Sequence, residues 1–290
     1  MFSVCDYWND SVRLRYEKWD AEIWPFFGMN TVSLRFDGRE LLRKPENADA
    51  LSDSPYLYGI PLLFPANRVA GGTFAFMGKT HRLPINEPAR NNHIHGLMYN
   101  APFRIVNKTQ KSVEAEYINK GERYPFPFKM TIVDALSEKG YERKISILNT
   151  SDNPFPYTLA FHTSFLEPET LSVFVKDRFL CDKNYIPTGK TAELNNTEKQ
   201  YIKGVKLKNL ALSGFYRMGE NAARLDDILF SVSENFDEWI LFNAGGDKGF
   251  VCVEPQAGEV NGLNTKSGCR ILREGETHTY TLSISQEEKN

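Results

Sequence analysis

The stretch NTVSLRFDGREL, Asn30 to Leu41, places Val32, Leu34 and Phe36 at alternate positions and then turns on Asp-Gly. A period of two suits a strand with one buried face, and Asp-Gly suits a tight turn. The same construction recurs along the chain. TFAFMGKTHRL reads as a hairpin turning at Gly78, and FRIVNKTQKSVEAEYIN as two strands joined by a polar turn across Asn107–Lys111. FKMTIVDALSEKGYERKISILNTSDNPFPYTLAFHTSF gives three strands interrupted by SEKG and TSDNP, and WILFNA, GFVCVEP and HTYTLSISQ supply more. No long stretch carries a 3.6-residue apolar stripe. Many short strands with frequent turns predict an all-β sandwich of antiparallel strands. The segment LSVFVKDRFLCDKNYIPTGKTAELNN is expected to be an irregular excursion. With no internal repeat, low-complexity tract or linker, residues 1–290 are expected to form a single domain.

Hydrophobic residues make up 41% of the 290, enough to bury a sizeable core. The formal net charge is -2, which gives no electrostatic reason to bind nucleic acid or an anionic membrane. The N-terminus has no apolar signal region, and runs such as GIPLLFPA are too short to span a bilayer. The expectation is a soluble, cytoplasmic protein. Cys5, Cys181, Cys252 and Cys269 are scattered without a C-x-x-C spacing, so free thiols are expected rather than a disulfide framework or a zinc knuckle.

The residues able to do chemistry are few. NNHIHGLMYN carries His93 and His95, which would share a face if the segment were extended. A cupin-like metal site needs a glutamate about four residues on, and GLMYN offers none, so no metal is expected here. His162 lies in LAFHTSF, an alternating apolar segment read as a strand, where a buried, hydrogen-bonded histidine is the plain alternative to a catalytic one. Glu254 ends the apolar run of FVCVEPQAG, and Pro255 biases it toward an extended backbone. It is either a solvated strand-end carboxylate or a general base set into a sheet face. Arg68 precedes the Gly-Gly of NRVAGGTF, which lacks the spacing of a phosphate loop.

Taken in order, these segments resemble the aldose 1-epimerase (galactose mutarotase-like) family. GIPLLFPANRVAGGTFAFMGKTHRLPIN is similar to the family's Pro-x-x-Phe-Pro run leading to Asn-Arg, a glycine, a hairpin and an asparagine. HIHG resembles its His-Gly element. LAFHTSF resembles its Gly-x-His-x-x-Phe strand, with Ala160 where glycine is usual. LDDILF resembles its Asp-containing strand, and VCVEPQAGEVNGLN its Val-x-Glu-Pro segment. The resemblance implies a large antiparallel β-sandwich, or supersandwich, binding a sugar on a concave sheet face. It implies Glu254 as catalytic base, His162 as catalytic acid and His95 as a second catalytic histidine near the ring oxygen. Arg68 and Asp226 would bind hydroxyls, with Asp227 an equally good candidate for the aspartate. His93 has no counterpart and is read as structural.

The implied reaction interconverts the α and β anomers of a hexose. A proton leaves the C1 hydroxyl and a proton reaches the ring oxygen, work for a paired carboxylate and imidazole. No group or electron is transferred, so no cofactor is expected. The expected partner is a small-molecule sugar, bound by a monomer or homodimer. HGLMYN lacks the arginine expected in phosphate-specific relatives, which favours a neutral sugar, although loop cations such as Arg43, Lys44 and Arg90 could serve a phosphate. The alternatives are a hexose-6-phosphate 1-epimerase, a non-catalytic carbohydrate-binding sandwich, or a structural sandwich with no sugar site. Convergence of His95, His162 and Glu254 on one pocket discriminates among them.

Overall fold

The computed structural model describes residues 11–265 and 268–287. It is a large antiparallel β-sandwich. A 15-stranded sheet dominates. Its main path runs from the edge strand Arg104–Lys108 through Ser112–Asn119, Phe128–Ser137, Gly140–Asn149 and Thr277–Gln286. It continues through Ile228–Val232, Ser213–Leu225, Glu238–Phe242, Phe250–Ala257 and Leu159–Phe161 to Leu62–Leu63. A 4-stranded meander from Val12 to Glu40 forms a second sheet. Its Val12, Leu14 and Ile23 join one core with Val113, Ile132 and Ile145.

The expected turns are present. Asp37 and Gly38 both have positive φ, as do Met77 and Gly78 in the Thr73–Arg82 hairpin. That conformation matches the twist of the strands they join. The strands Phe128–Ser137 and Gly140–Asn149 pair in register over their whole length, with apolar side chains alternately buried.

Three expectations need correction. The segment expected to be irregular is instead a 12-residue strand, Thr170–Cys181, whose first half pairs with Ser213–Leu225 and whose second half forms a hairpin with Pro187–Ala192. Leu171, Val173 and Val175 alternate inward, but beyond them Arg178–Cys181 is half-buried at every position and Pro187–Ala192 half-buried or exposed, so burial no longer alternates. His162 is not within a strand. It occupies the break between Leu159–Phe161 and Ser164–Leu166. Glu254 does not end its strand, since all eight residues of Phe250–Ala257 are buried.

Inside the sandwich, Arg143 and Asp134 are fully buried and hydrogen-bonded to each other at 2.7 and 2.8 Å. Asp134 also accepts from the Tyr141 hydroxyl at 2.9 Å, and Arg143 donates to the carbonyls of Met29 and Ile60. Both charges therefore have paired partners, the condition for tolerating them in a core. The contact with Ile60 anchors the segment that runs under the functional site: His162 N donates to Pro61 O at 3.0 Å and Ser164 N to Gly59 O at 2.9 Å.

Candidate active site

Strand register builds the floor of a cleft. Phe215 lies opposite Ile240, and Ile240 lies opposite Glu254, across three neighbouring strands. Directly opposed residues share a face, so the three side chains form one row. The next row on that face is Ser213, Phe242, Cys252 and Ser164. Above this floor opens a cavity of about 520 Å³, lined among others by Tyr56, Arg68, His95, His162 and Glu254.

The break in the sheet aims His162 at Glu254. Thr163 O accepts from Val253 N at 3.0 Å, which holds the break in place. His162 Nε2 then lies 3.2 Å from Glu254 Oε1, with both side chains almost wholly buried. Burial raises the Glu254 carboxyl well above the usual range, partly opposed by the positive charge of Arg68. Burial also lowers His162, to about 4. Both shifts have the same cause: each charged form loses its hydration. With the carboxyl raised and the imidazole lowered, the pair is better described as sharing one proton than as a fixed ion pair.

His95 reaches the same place by a different route. The condition of an extended HIHG is not met at this residue, because the strand is Asn92–Ile94 and His95 has φ 64°. Its backbone N–H donates to Asn67 O at 2.8 Å. Gly96 follows at φ 66°, and a Cβ there would lie 2.0 Å from Phe64 O, so the glycine of the His-Gly pair is a steric requirement. The kink places the His95 ring 5.3 Å from that of His162 and 4.6 Å from that of Tyr56. Burial, with the nearby His162 and Arg68, keeps His95 well below the ordinary histidine range and therefore neutral. His93 points elsewhere: it is buried, with Nδ1 2.7 Å from Pro84 O.

Arg68 stands at the rim on the short strand Arg68–Ala70. That strand pairs with Asn92–Ile94 and is tied to the Glu254 segment through Asn261, whose N–H donates to Arg68 O and whose Oδ1 accepts from Ala70 N, both at 2.9 Å. The guanidinium is held by Glu87, and Tyr185, from the tip of the 170–192 hairpin, packs between Arg68 and Arg90 at 5.0 and 4.8 Å. Asp226 is not brought to the cleft. It sits at φ 55° in the turn between Ser213–Leu225 and Ile228–Val232, where its carboxylate accepts from the N–H groups of Glu169 and Thr170. Asp227 is engaged by Arg39 at 2.8 and 2.9 Å. The residues the sequence reading did not single out are Tyr56, Glu87, Tyr185 and Phe215. Of these, only Tyr56, in the turn-rich aromatic stretch SPYLYG, gives a local signal.

Among the described residues, no helix is long and apolar enough to cross a membrane. Cys181, Cys252 and Cys269 are free thiols, while Cys5 lies outside the described residues. The fold is similar to a galactose mutarotase-like protein from Clostridium acetobutylicum, with a TM-score of 0.89 and 24% identity over 96% of this chain and 95% of that one. It is also similar to a galactose 1-epimerase from Lactobacillus acidophilus NCFM, with a TM-score of 0.77 and 16% identity over 96% and 95% of the two chains. In sequence, the uncharacterized protein YihR of Escherichia coli K12 is 23% identical over 280 residues, covering 90% of this chain and 89% of its own. The family model described as aldose 1-epimerase matches residues 25–285, an interval that contains every cleft residue named above. The chain belongs to the aldose 1-epimerase family.

Proposed function

We propose that this protein is an aldose 1-epimerase acting on a free hexose, with Glu254 as base, His162 as acid and His95 as a neutral hydrogen-bond donor near the ring oxygen. The observation that carries this reading is the 3.2 Å approach of His162 Nε2 to Glu254 Oε1 at the floor of the cleft. Opening a cyclic hemiacetal removes a proton from the C1 hydroxyl and adds one to the ring oxygen, two atoms bonded to the same carbon. A base and an acid side by side can serve both. After opening, Glu254 holds a proton and His162 is neutral. Rotation about C1–C2 presents the other carbonyl face, and the same two groups return the protons. The pair's total proton count is therefore the same before and after, so turnover needs no exchange with solvent.

Tyr56, Phe215 and Tyr185 are the rings placed to cover the sugar's C–H faces, and Tyr99 supports Tyr56 at 4.9 Å. A neutral substrate is supported by the state of the rim. Both fork nitrogens of Arg68 that face Glu87 are already used, and Arg90 Nη1 also donates to Glu87, at 3.2 Å. A phosphate dianion would have to compete with that carboxylate for its charge-assisted bonds. Arg68 Nη1 donates to Asn67 Oδ1 at 3.4 Å and has a second N–H for a sugar hydroxyl.

The test is polarimetry or NMR of freshly dissolved α-D-glucose, α-D-galactose and α-D-glucose 6-phosphate at low and high salt. Accelerated anomerisation of a free sugar, indifferent to salt, is expected. A kcat/KM for the phosphate tenfold above both free sugars, and falling with salt, would reassign the substrate. No acceleration for any aldose would leave only a binding role.

A further inference from the structure

The row next to Glu254 on the cleft floor contains Cys252, two residues along the same strand and facing the same way. One ligand atom each from His162, Cys252 and Glu254 can be chosen so that all three lie within 4.8 Å of one another, and all three residues are buried. The thiol also lies in hydrogen-bonding contact with Ser164 Oγ at 3.3 Å. We propose that His162, Cys252 and Glu254 form an inhibitory site for a thiophilic divalent cation, zinc or its analogue cadmium. The inhibitory part rests on the proposed function; the binding part does not.

Geometry and donor chemistry support it. Zinc bonds of about 2.0–2.2 Å to nitrogen and oxygen, set tetrahedrally, span a ligand separation close to the 3.2 Å already present between His162 and Glu254. A sulfur about 2.3 Å from the ion would lie roughly 3.6 Å from the other two donors, so Cys252 Sγ, within 4.8 Å of them, has to move by no more than about 1 Å. Imidazole, thiolate and carboxylate together form a donor set that zinc and cadmium accept and magnesium or calcium do not. His162 and Glu254 line the cavity, from which water would fill the fourth position. Binding releases both the thiol proton and the proton shared by His162 and Glu254, and joins the metal to both groups of the proton-transfer pair, leaving neither able to serve a sugar.

Metal-stripped protein titrated with cadmium is expected to show a thiolate-to-cadmium charge-transfer band in the ultraviolet, saturating at one equivalent. Cys252→Ser and Cys252→Ala should both lose the band and bind cadmium at least tenfold more weakly, with folded circular dichroism spectra as the check on integrity. The triple variant Cys5→Ser, Cys181→Ser, Cys269→Ser should keep it. His162→Asn should bind at least tenfold more weakly. Zinc should inhibit anomerisation of the native protein over the concentration range in which it binds, and Cys252→Ser should escape that inhibition. Absence of the band in the native protein, or its survival in both Cys252 variants, overturns the site. Protein inactive toward every aldose would fail the functional reading, while the cadmium titration still decides the site.

Discussion

Arg68 donates from Nε and Nη2 to the two carboxylate oxygens of Glu87, each at 2.9 Å. Glu87 also accepts from Asn92 Nδ2 at 2.9 Å, and these partners hold its carboxyl below the usual range despite partial burial. A planar fork on a planar carboxylate fixes the orientation of the guanidinium as well as its charge. In the proposed reaction Glu87 would act through Arg68, as a positioning residue. Glu87→Gln should raise KM about tenfold through a loosely held Arg68, with kcat changed less. Glu87→Asp, which keeps the charge on a shorter stem, should recover part of the loss. Equal falls in kcat and kcat/KM would assign Arg68 to the transition state instead.

Glu254→Gln tests the base directly. The amide keeps the shape and the hydrogen bond toward His162 but cannot accept the C1 hydroxyl proton. The expected kcat loss is about 10² or more, with sugar binding retained in a calorimetric titration. Anomer interconversion near the native rate would remove Glu254 from that role.

Asp226 should behave as a structural residue. It caps two backbone N–H groups and accepts from the Thr170 hydroxyl at 3.0 Å, in a left-handed conformation that aspartate tolerates better than alanine. Asp226→Ala should cost roughly 1–3 kcal/mol of stability in denaturant unfolding. Its kcat/KM should stay within about twofold of the native value. A large KM effect without loss of stability would restore the substrate-binding role.

Gly96→Ala is expected to be worse than its size suggests. The new Cβ would collide with the Phe64 carbonyl, which is backbone and cannot move aside cheaply, at a left-handed φ. A stability loss of about 1–3 kcal/mol is expected. Because His95 is the preceding residue, activity should fall with it. A fully active variant of native stability would show that the close approach is not rigid.

Much of this was legible in advance for identifiable reasons. Strands buried on one face, such as Phe128–Ser137, show their period in the sequence. Turns such as Met77–Gly78 announce themselves through glycine. What escaped depends on partners far along the chain. The break at His162 is set by pairing with Pro61 and Val253, neither of which is visible in LAFHTSF. The kink at His95 is set by Asn67 and Phe64, so HIHG is not extended there. Glu254 looked like a strand end because a carboxylate is costly in a core. It is tolerated by sharing a proton with His162. The aspartate in LDDILF carried no local mark separating a cap from a ligand. The hairpin bearing Tyr185 is half-buried or exposed throughout, with no alternation to read.

The pH response follows from the shared proton. Adding a second proton requires charging His162 beside a protonated Glu254, and burial places that step at about 4. Removing the single proton requires leaving Glu254 ionised in a buried cleft, and burial moves that step well above 4.5. Between the two, the pair holds one proton, whichever partner carries it. In metal-stripped enzyme, kcat/KM should therefore show its acid limb near 4 and not near 6.5. Stability has a matching form. The lowered His162 contributes stability that is lost as pH falls from 6.5 through about 4, because the unfolded chain takes up the proton first. The raised Glu254 contributes stability that is lost as pH rises above 4.5, because the unfolded chain releases its proton first. Above 4.5 the two slopes oppose each other, so this pair should change unfolding free energy less there than either group would alone. An acid limb with its midpoint near 6.5 would mean that His162 titrates like an exposed histidine, and the shared-proton description would fail. His162→Gln should remove the limb near 4 along with most of the activity; a native-like profile in that variant would assign the acid to another group.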